Sequence, residues 1–320
     1  MVEKAAAETK LVLKPGVICG FMTNLDNSGD KECLQFSHVE CSGVNLEQLM
    51  KAAEEIKDVT VIDFSNNGLV DVSSLNTLAR LTRLNLANNK IKNFAVFGQE
   101  DAFPNLKWLD ISNNKFTEWP AFKCPKLDYL NIGGNKLEKV SAEWAGHPNL
   151  RIISAFDNKL KNLGNFKGMP KLEELYLANN LITSFNGWEG GLPVLKRLHL
   201  RRNKIKVFED ELSELPELEY LNIRHNEIET LEQAFKVFQF PKITDLNVLN
   251  NPCDTNCSSF DLLMAEFLIK RSTLVRFCKT RVLDSNRLQA VHLSNYRFDK
   301  AEAKRKEEEA AEAARAAAEE

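Results

Sequence analysis

Three cysteines near the end of the sequence have the side chains that could bind a metal ion. Cys253 and Cys257 are separated by three residues, and Cys278 follows later in the chain. Structural zinc sites usually have four protein ligands, and a fourth is not obvious here, His292 being a distant candidate. Free cysteines are also commonly buried. This spacing therefore favours cysteines that pack in the protein interior, and we predict no bound zinc, other metal or cofactor.

The histidines of the sequence do not form a recognisable catalytic motif. There is no His-Glu-x-x-His pair, no nucleophile elbow and no Walker loop. His199 and His225 have no serine or cysteine nucleophile beside them, and the glycine pairs Gly133–Gly134 and Gly190–Gly191 lack the context of a phosphate-binding loop. We therefore predict that the chain is not an enzyme, and that its functional residues form a binding surface.

The sequence contains a repeated apolar pattern that ends in asparagine, and the structure formed by these repeats must position the binding surface. The asparagines are at positions 67, 89, 114, 135, 158, 180, 203, 226 and 251. A typical repeat reads LTRLNLANNKI from Leu81 to Ile91. A period of about 20–29 residues with this pattern is typical of leucine-rich repeats. The sequence therefore predicts an α/β fold, a leucine-rich-repeat solenoid in the form of a right-handed horseshoe with a parallel sheet on the concave face.

Each repeat predicts one short strand followed by a turn. In a Leu-x-Leu strand the leucines point inward and the intervening residues point outward. The asparagine amide can donate to and accept from backbone groups that the turn leaves unpaired. We expect strands near residues 63, 85, 110, 131, 154, 176, 199, 222 and 247. The fifth repeat has Ala155 where leucine is usual, which we interpret as repacking within one layer of the core.

Residues two, four and six positions before each asparagine should face the concave side. Exposed aromatic and arginine side chains are typical of protein interfaces. Isolated exposed apolar residues are also common on protein surfaces, but the repeat aligns these residues in rows. Arg83 belongs to the same set of positions. We predict a protein-binding surface formed by Trp108, Tyr129, Phe156, Tyr176, Arg197, His199, Arg201, Tyr220 and Arg224.

The two ends of the repeat array should be covered by helical caps, because a solenoid exposes its terminal layers. We expect a strand near 34–39 and an amphipathic helix at 46–56 at one end, and an apolar helix at 260–270 with a last imperfect repeat at 274–283 at the other. The tail should be a solvated helix, and the alternative is a contact with a microtubule or another partner through the basic run Lys304–Lys306. The expected divisions are 1–56 (N-terminal segment and cap), 57–251 (nine repeats), 252–298 (C-terminal cap) and 299–320 (charged helical tail).

Composition excludes several classes of protein. The net charge of −3 comes from 45 acidic and 42 basic residues, whereas general nucleic-acid binders are strongly basic. No apolar run approaches the roughly 18 residues that a membrane-spanning helix needs. Residues 1–16 lack the apolar core of a signal peptide, and the seven cysteines are an odd number. We expect an intracellular protein that binds other proteins, with no direct contact to nucleic acid or membrane.

These short repeats resemble those of intracellular leucine-rich-repeat proteins of the Sds22-like type. The segment from Leu195 to Asp254, which includes LKRLHLRRNKIKVF and LEYLNIRHNEIETL, more closely resembles the last repeats of the leucine-rich-repeat proteins of axonemal radial spokes. That resemblance extends over residues 55–320 and includes the Asn-Pro-Cys exit, the helical cap and the charged tail. This resemblance implies a structural component of a ciliary axoneme within a larger complex of spoke or cytoskeletal proteins. A phosphatase-regulatory subunit and a nuclear RNA-processing scaffold remain alternatives.

Overall fold

The computed structural model describes residues 33–35 and 59–319, except positions 94, 100–101, 120–122, 141–146, 164–165, 167, 186–190, 210–214 and 256. The helix expected at 46–56 lies outside the described residues. So do positions 36–39 of the strand expected at 34–39, whose earlier part falls within the strand Cys33–Gln35.

A continuous parallel sheet runs through the described repeats in chain order. Each repeat contributes one three-residue strand because its central leucine or isoleucine is buried while its neighbours face outward. All nine predicted strand positions lie within observed strands, so the register is confirmed, with each centre one residue earlier than expected. The strands are β1 (Cys33–Gln35), β2 (Val61–Asp63), β3 (Arg83–Asn85), β4 (Trp108–Asp110), β5 (Tyr129–Asn131), β6 (Ile152–Ser154), β7 (Glu174–Tyr176), β8 (Arg197–His199), β9 (Tyr220–Asn222) and β10 (Asp245–Asn247).

Buried asparagines join the layers of the solenoid, as the sequence predicts. The Asn89 side-chain amide donates to the carbonyls of Phe64 and Leu86, both at 2.9 Å. Its side-chain oxygen accepts the backbone N–H of Leu69 at 3.0 Å. Equivalent contacts recur at every later asparagine of the series, through Asn251. Each asparagine therefore satisfies backbone groups of its own repeat and of the preceding one.

The residue before each of these asparagines is in the left-handed backbone region. The values of φ lie between 52° and 65°. Asparagine, aspartate and glycine tolerate this conformation best, and most repeats have one of them there. Arg202 and His225 are exceptions, with φ of 57° and 56°. Arg202 is exposed and His225 is half-buried.

The solenoid is completed by further elements after the last repeat. Strand β11 (Arg276–Phe277) continues the parallel sheet beside β10, as the imperfect last repeat predicts. Strand β12 (Thr280–Arg281) then reverses direction and pairs antiparallel with β11. The intervening residues Cys278 and Lys279 both have positive φ, at 51° and 72°, which is the requirement of a tight two-residue hairpin turn.

Four α-helices lie in the described part of the C-terminal third. They are α1 (Leu231–Phe235), α2 (Pro252–Thr255), α3 (Phe260–Lys270) and α4 (Asp284–Glu319). Helix α3 has the bounds that the sequence predicts, and the Ser259 side chain caps its N-terminus by accepting the backbone N–H of Leu262 at 3.2 Å. Helix α4 packs on α3 through a bidentate ion pair between Arg297 and Glu266.

The charged tail is the second half of helix α4. The helix starts at Asp284 and continues through position 299 without a break. Beyond that point its described side chains are mostly exposed, and the basic run Lys304–Lys306 forms ion pairs one helical turn away, such as Lys306 with Glu302 at 2.8 Å. None of the helices in the described ranges is long and apolar enough to cross a bilayer.

Candidate protein-binding surface

The strand register places outward-facing residues in three parallel rows. The first row lies six positions before the repeat asparagines, the second row four positions before and the third row two positions before. All nine residues predicted for the binding surface fall on these rows, on strands β4 to β9 or directly after them. Because adjacent strands are about 4.8 Å apart, equivalent side chains on neighbouring strands contact each other.

The N-terminal part of the first row is a stack of flat side chains. The rings of Trp108 and Tyr129 are nearly parallel, at 5°, with 5.3 Å between their centroids. The guanidinium of Arg83 lies 4.8 Å from the centroid of the Trp108 ring, in cation–π geometry. Burial raises the pKa of Tyr129, and the Asp110 carboxylate raises it further. The two rings are partly buried against each other and form a rigid apolar surface.

A second stack crosses from the second row to the first. The His199 ring lies between Tyr176, at 4.5 Å, and Tyr220, at 4.8 Å. Arg197 covers the Tyr220 ring at 4.8 Å. Burial lowers the pKa of His199 to about 4, with a smaller contribution from Arg197. At neutral pH this histidine is therefore an uncharged ring, and among the described residues its Nε2 has no hydrogen-bond partner.

The Tyr176 hydroxyl fixes the position of its ring. It donates a hydrogen bond to the Glu174 carboxylate on the same strand. Burial raises the pKa of Tyr176 to about 12, and this hydrogen bond and the charge of Glu174 contribute. The hydroxyl therefore remains protonated and keeps its role as donor across the neutral range.

A hollow lies between the two stacks. The Phe156 ring covers Gly133 on the preceding repeat, where an added Cβ would be 2.6 Å from the nearest ring carbon. The neighbouring Ala155 is fully buried in the core. The hollow has a volume of about 480 Å³. It is lined by Tyr129, Ile152, Ser154, Phe156, Glu174, Tyr176, Ala178 and His199.

The arginines of the surface do not form ion pairs within the described part of the chain. This holds for Arg197, Arg201 and Arg224, although Nε of Arg224 donates to the Asn250 side chain at 3.1 Å. Basic residues just before the strands are paired, for example Lys196 with Glu173 at 3.2 Å. Arg201 and Arg224 therefore have no acidic partner in the described part of the chain, whereas Arg197 is the register neighbour of Glu174.

Two features of this surface were not predicted from the sequence. The predicted aromatic residues are partly buried rather than freely exposed, because they stack on one another across strands. Arg202 and His225 also lie at its edge, beside Arg201 and Arg224. The sequence could have indicated these two residues, because each stands directly before a repeat asparagine, at the position of the left-handed turn.

The three C-terminal cysteines are free thiols in the cap. Burial raises the pKa of Cys253 and of Cys278 to about 12, and raises that of Cys257 by less. Zinc binds the deprotonated thiolate, which this burial disfavours. No group of three His, Cys, Asp or Glu side chains in the described ranges is arranged to hold a metal ion.

We predict that the purified protein contains no stoichiometric zinc. The measurement is elemental analysis after dialysis against metal-free buffer, with the Cys253→Ser/Cys257→Ser variant as the matched control. One equivalent of zinc in the unmodified protein that disappears in the double variant would show that the cysteines are ligands.

Family models agree with the repeat assignment. Leucine-rich repeat models match residues 57–98, 104–143 and 148–190, and a related leucine-rich repeat model matches 193–252. Together they cover more than half of the chain.

Similar proteins carry the same repeats. The chain is 30% identical to mouse Podocan, over 49% of this chain and 27% of Podocan. It is 36% identical to the acidic leucine-rich nuclear phosphoprotein 32 family member A of Drosophila pseudoobscura pseudoobscura, over 45% of this chain and 53% of that protein. The matched part thus spans about a quarter of the first relative and about half of the second.

A solved structure supports the same fold. The likeness is to a chain in the octameric complex of Latrophilin 3, Unc5D and the leucine-rich repeats of FLRT2. It has a TM-score of 0.58 and 24% identity, and covers 69% of each chain. At this identity the similarity bears on the fold.

Proposed function

Because the chain belongs to the leucine-rich repeat family, we propose that it is a non-catalytic scaffold that binds another protein on its concave face. Members of this family generally act as protein-interaction scaffolds. The observation that carries the proposal is the pair of stacks, Trp108–Tyr129 and Tyr176–His199–Tyr220, with arginines beside them that have no acidic partner in the described part of the chain.

Prearranged rings favour binding because they lose little freedom when a partner docks. Aromatic side chains have few rotatable bonds, and immobilising flexible side chains opposes association. Here the rings are already held by stacking and by the bond from Tyr176 to Glu174. Strands β4 to β9 extend over about 24 Å at ordinary strand spacing, so the surface suits a folded partner or an extended segment.

For the cellular role, the resemblance to radial-spoke proteins supports an intracellular structural component of the ciliary axoneme. The partner would then be another spoke or cytoskeletal protein in the same complex. The 36% identity to a nuclear phosphoprotein favours a second candidate, a nuclear scaffold. Localisation of a tagged copy distinguishes the two: signal along cilia supports the first, whereas signal confined to the nucleus supports the second. If the chain were instead a regulatory subunit of a phosphatase, it would be recovered from cell extract together with that phosphatase.

We predict that Tyr176→Ala weakens partner binding by about 2 kcal/mol or more, because a central aromatic anchor is removed. Arg201→Glu should have a comparable effect through loss of a cation. Both residues lie outside the buried core, so folding should change little. The measurement is quantitative recovery of partners from axonemes or cell extract, with thermal melting of each variant.

Matched controls lie away from the surface. Tyr296→Ala removes a tyrosine that is 64% exposed on helix α4, and Lys204→Glu reverses an exposed charge beyond the turn of the same repeat as Arg201. Both should retain every partner. If Tyr176→Ala and Arg201→Glu also retain every partner, binding occurs on another face, the cap or the tail.

A further inference from the structure

Four basic side chains lie within electrostatic range of one another where strands β8 and β9 end. Arg201 and Arg224 occupy the third row, and Arg202 and His225 follow them in the left-handed turns. The two turns are adjacent, since the backbone N–H of Arg202 donates to the Arg224 carbonyl at 2.9 Å. Burial lowers the pKa of His225, and the charges of Arg224, Arg201 and Arg202 lower it further.

The charge of this cluster is only weakly balanced within the chain. No ion pair within the described ranges includes any of its three arginines. Asp254 is the acidic residue that acts on His225, more weakly than the arginines, and its carboxylate already accepts the backbone N–H of Asn250. Nε of Arg201 is buried and has no hydrogen-bond partner in the described part of the chain.

The apolar hollow lies directly beside this cluster. Ala178 lines the hollow in the third row, and Arg201 is the next residue of that row. The two repeats are joined there by the N–H of Asn179, which donates to the Arg201 carbonyl at 2.9 Å. The row therefore passes from the apolar ring of Phe156, through the small side chain of Ala178, to Arg201 and then Arg224.

We propose that the partner on the concave face is an acidic protein segment, which inserts one apolar side chain into the hollow and places carboxylates on Arg201 and Arg224. This inference rests on the proposed function and specifies the partner's chemistry. Arginine binds carboxylates in a bidentate manner, and partial burial makes such pairs stronger than exposed ones.

The spacing of the strands determines how far apart the acidic residues of the partner segment should be. Arg201 is one strand from Ala178 and Arg224 is two strands away, which corresponds to about 4.8 and 9.6 Å across the sheet. An extended segment advances about 3.3 Å per residue. Because alternate side chains of an extended segment face the same side, the acids that reach Arg201 and Arg224 are expected about two and four residues from the apolar anchor. The flexible arginine and acidic side chains span the remaining distance.

Selection of random peptides displayed on phage tests this inference with the full chain as bait. Enriched peptides should combine an apolar residue with acids at these spacings. By fluorescence anisotropy, synthetic copies should bind Arg201→Gln/Arg224→Gln about tenfold more weakly or worse. Lys159→Gln/Lys204→Gln removes the same charge from exposed positions outside the three rows, and it should bind like the unmodified chain.

Three results of the peptide experiment would overturn the inference. They are the absence of enriched acidic peptides, equal binding to the Arg201→Gln/Arg224→Gln variant, and equal loss in the lysine control. Binding of a uridine oligonucleotide is measured in the same experiment, because stacked rings with arginines can also bind single-stranded nucleic acid. Oligonucleotide binding that competes with the peptides and is lost in the arginine variant would contradict a protein partner. A cellular partner that needs Tyr176 but not the arginines would overturn this inference and leave the proposed function intact.

Discussion

Phe267→Ala is expected to lower the free energy of unfolding by about 3–5 kcal/mol, the usual cost of removing a buried phenylalanine ring. The side chain is fully buried in helix α3. Its ring centroid lies 4.8 Å from Phe277, 5.0 Å from Phe235 and 5.9 Å from Phe238. It therefore joins the cap helix both to the end of the sheet and to the segment before β10.

The position of Phe267 also predicts where the damage should appear. In a solenoid each layer contacts mainly its neighbours, so hydrogen exchange should accelerate in β10, β11 and α3 before it does in β4. Phe298→Ala is the control, because that side chain is 69% exposed on helix α4 and its loss should change stability by about 0.5 kcal/mol or less. Equal denaturation midpoints for the two variants would contradict the proposed role of the ring.

Asn180→Ala is expected to destabilise the fold by about 1–3 kcal/mol, because it leaves buried backbone groups without partners. The Asn180 amide donates to the carbonyls of Ala155 at 3.0 Å and Leu177 at 3.1 Å. Its oxygen accepts the N–H of Leu160 at 3.0 Å. Denaturant unfolding measures the loss. The control Asn149→Ala removes two exposed hydrogen bonds, one to the Pro125 carbonyl and one from the Lys171 ammonium, and should have little effect.

Asn180→Asp should cost more than Asn180→Ala at neutral pH, because it directs a carboxylate at carbonyl oxygens. The folded state favours the protonated form, so the pKa of the introduced group rises above its unfolded value of about 3.9. The extra penalty is therefore absent below that pH and grows as the pH rises towards the folded pKa. Asn180→Ala with the stability of the unmodified chain, or Asn180→Asp with no pH dependence relative to it, would refute the role of the asparagine series.

The repeat and its register could be predicted from the sequence because their causes are local. Strand alternation has a period of two, so one Leu-x-Leu fixes which side chains face outward. One asparagine per repeat then fixes the turn. These rules placed Tyr176 and Arg201 on the outward face without knowledge of any contact.

The hairpin after the last repeat and the full length of helix α4 could not be predicted in this way. The turn at Cys278–Lys279 lacks the Asn-Gly signature of such turns, and the surrounding cap must impose its conformation. Helix α4 begins at Asp284, and its first half packs on α3. The composition changes from apolar to charged near residue 299. This change marks the point where helix α4 stops packing on α3, and the helix itself continues.

The sequence by itself determined the solenoid, its strands, its asparagine contacts and the set of outward-facing aromatic and basic residues, since each follows from residues within one repeat. Only the tertiary structure decided which of those residues touch. His199 lies between Tyr176 and Tyr220 although the three belong to different repeats, and Phe156 covers Gly133 across the sheet. Such contacts depend on side-chain rotamers across neighbouring strands, and those rotamers are set only when the layers stack.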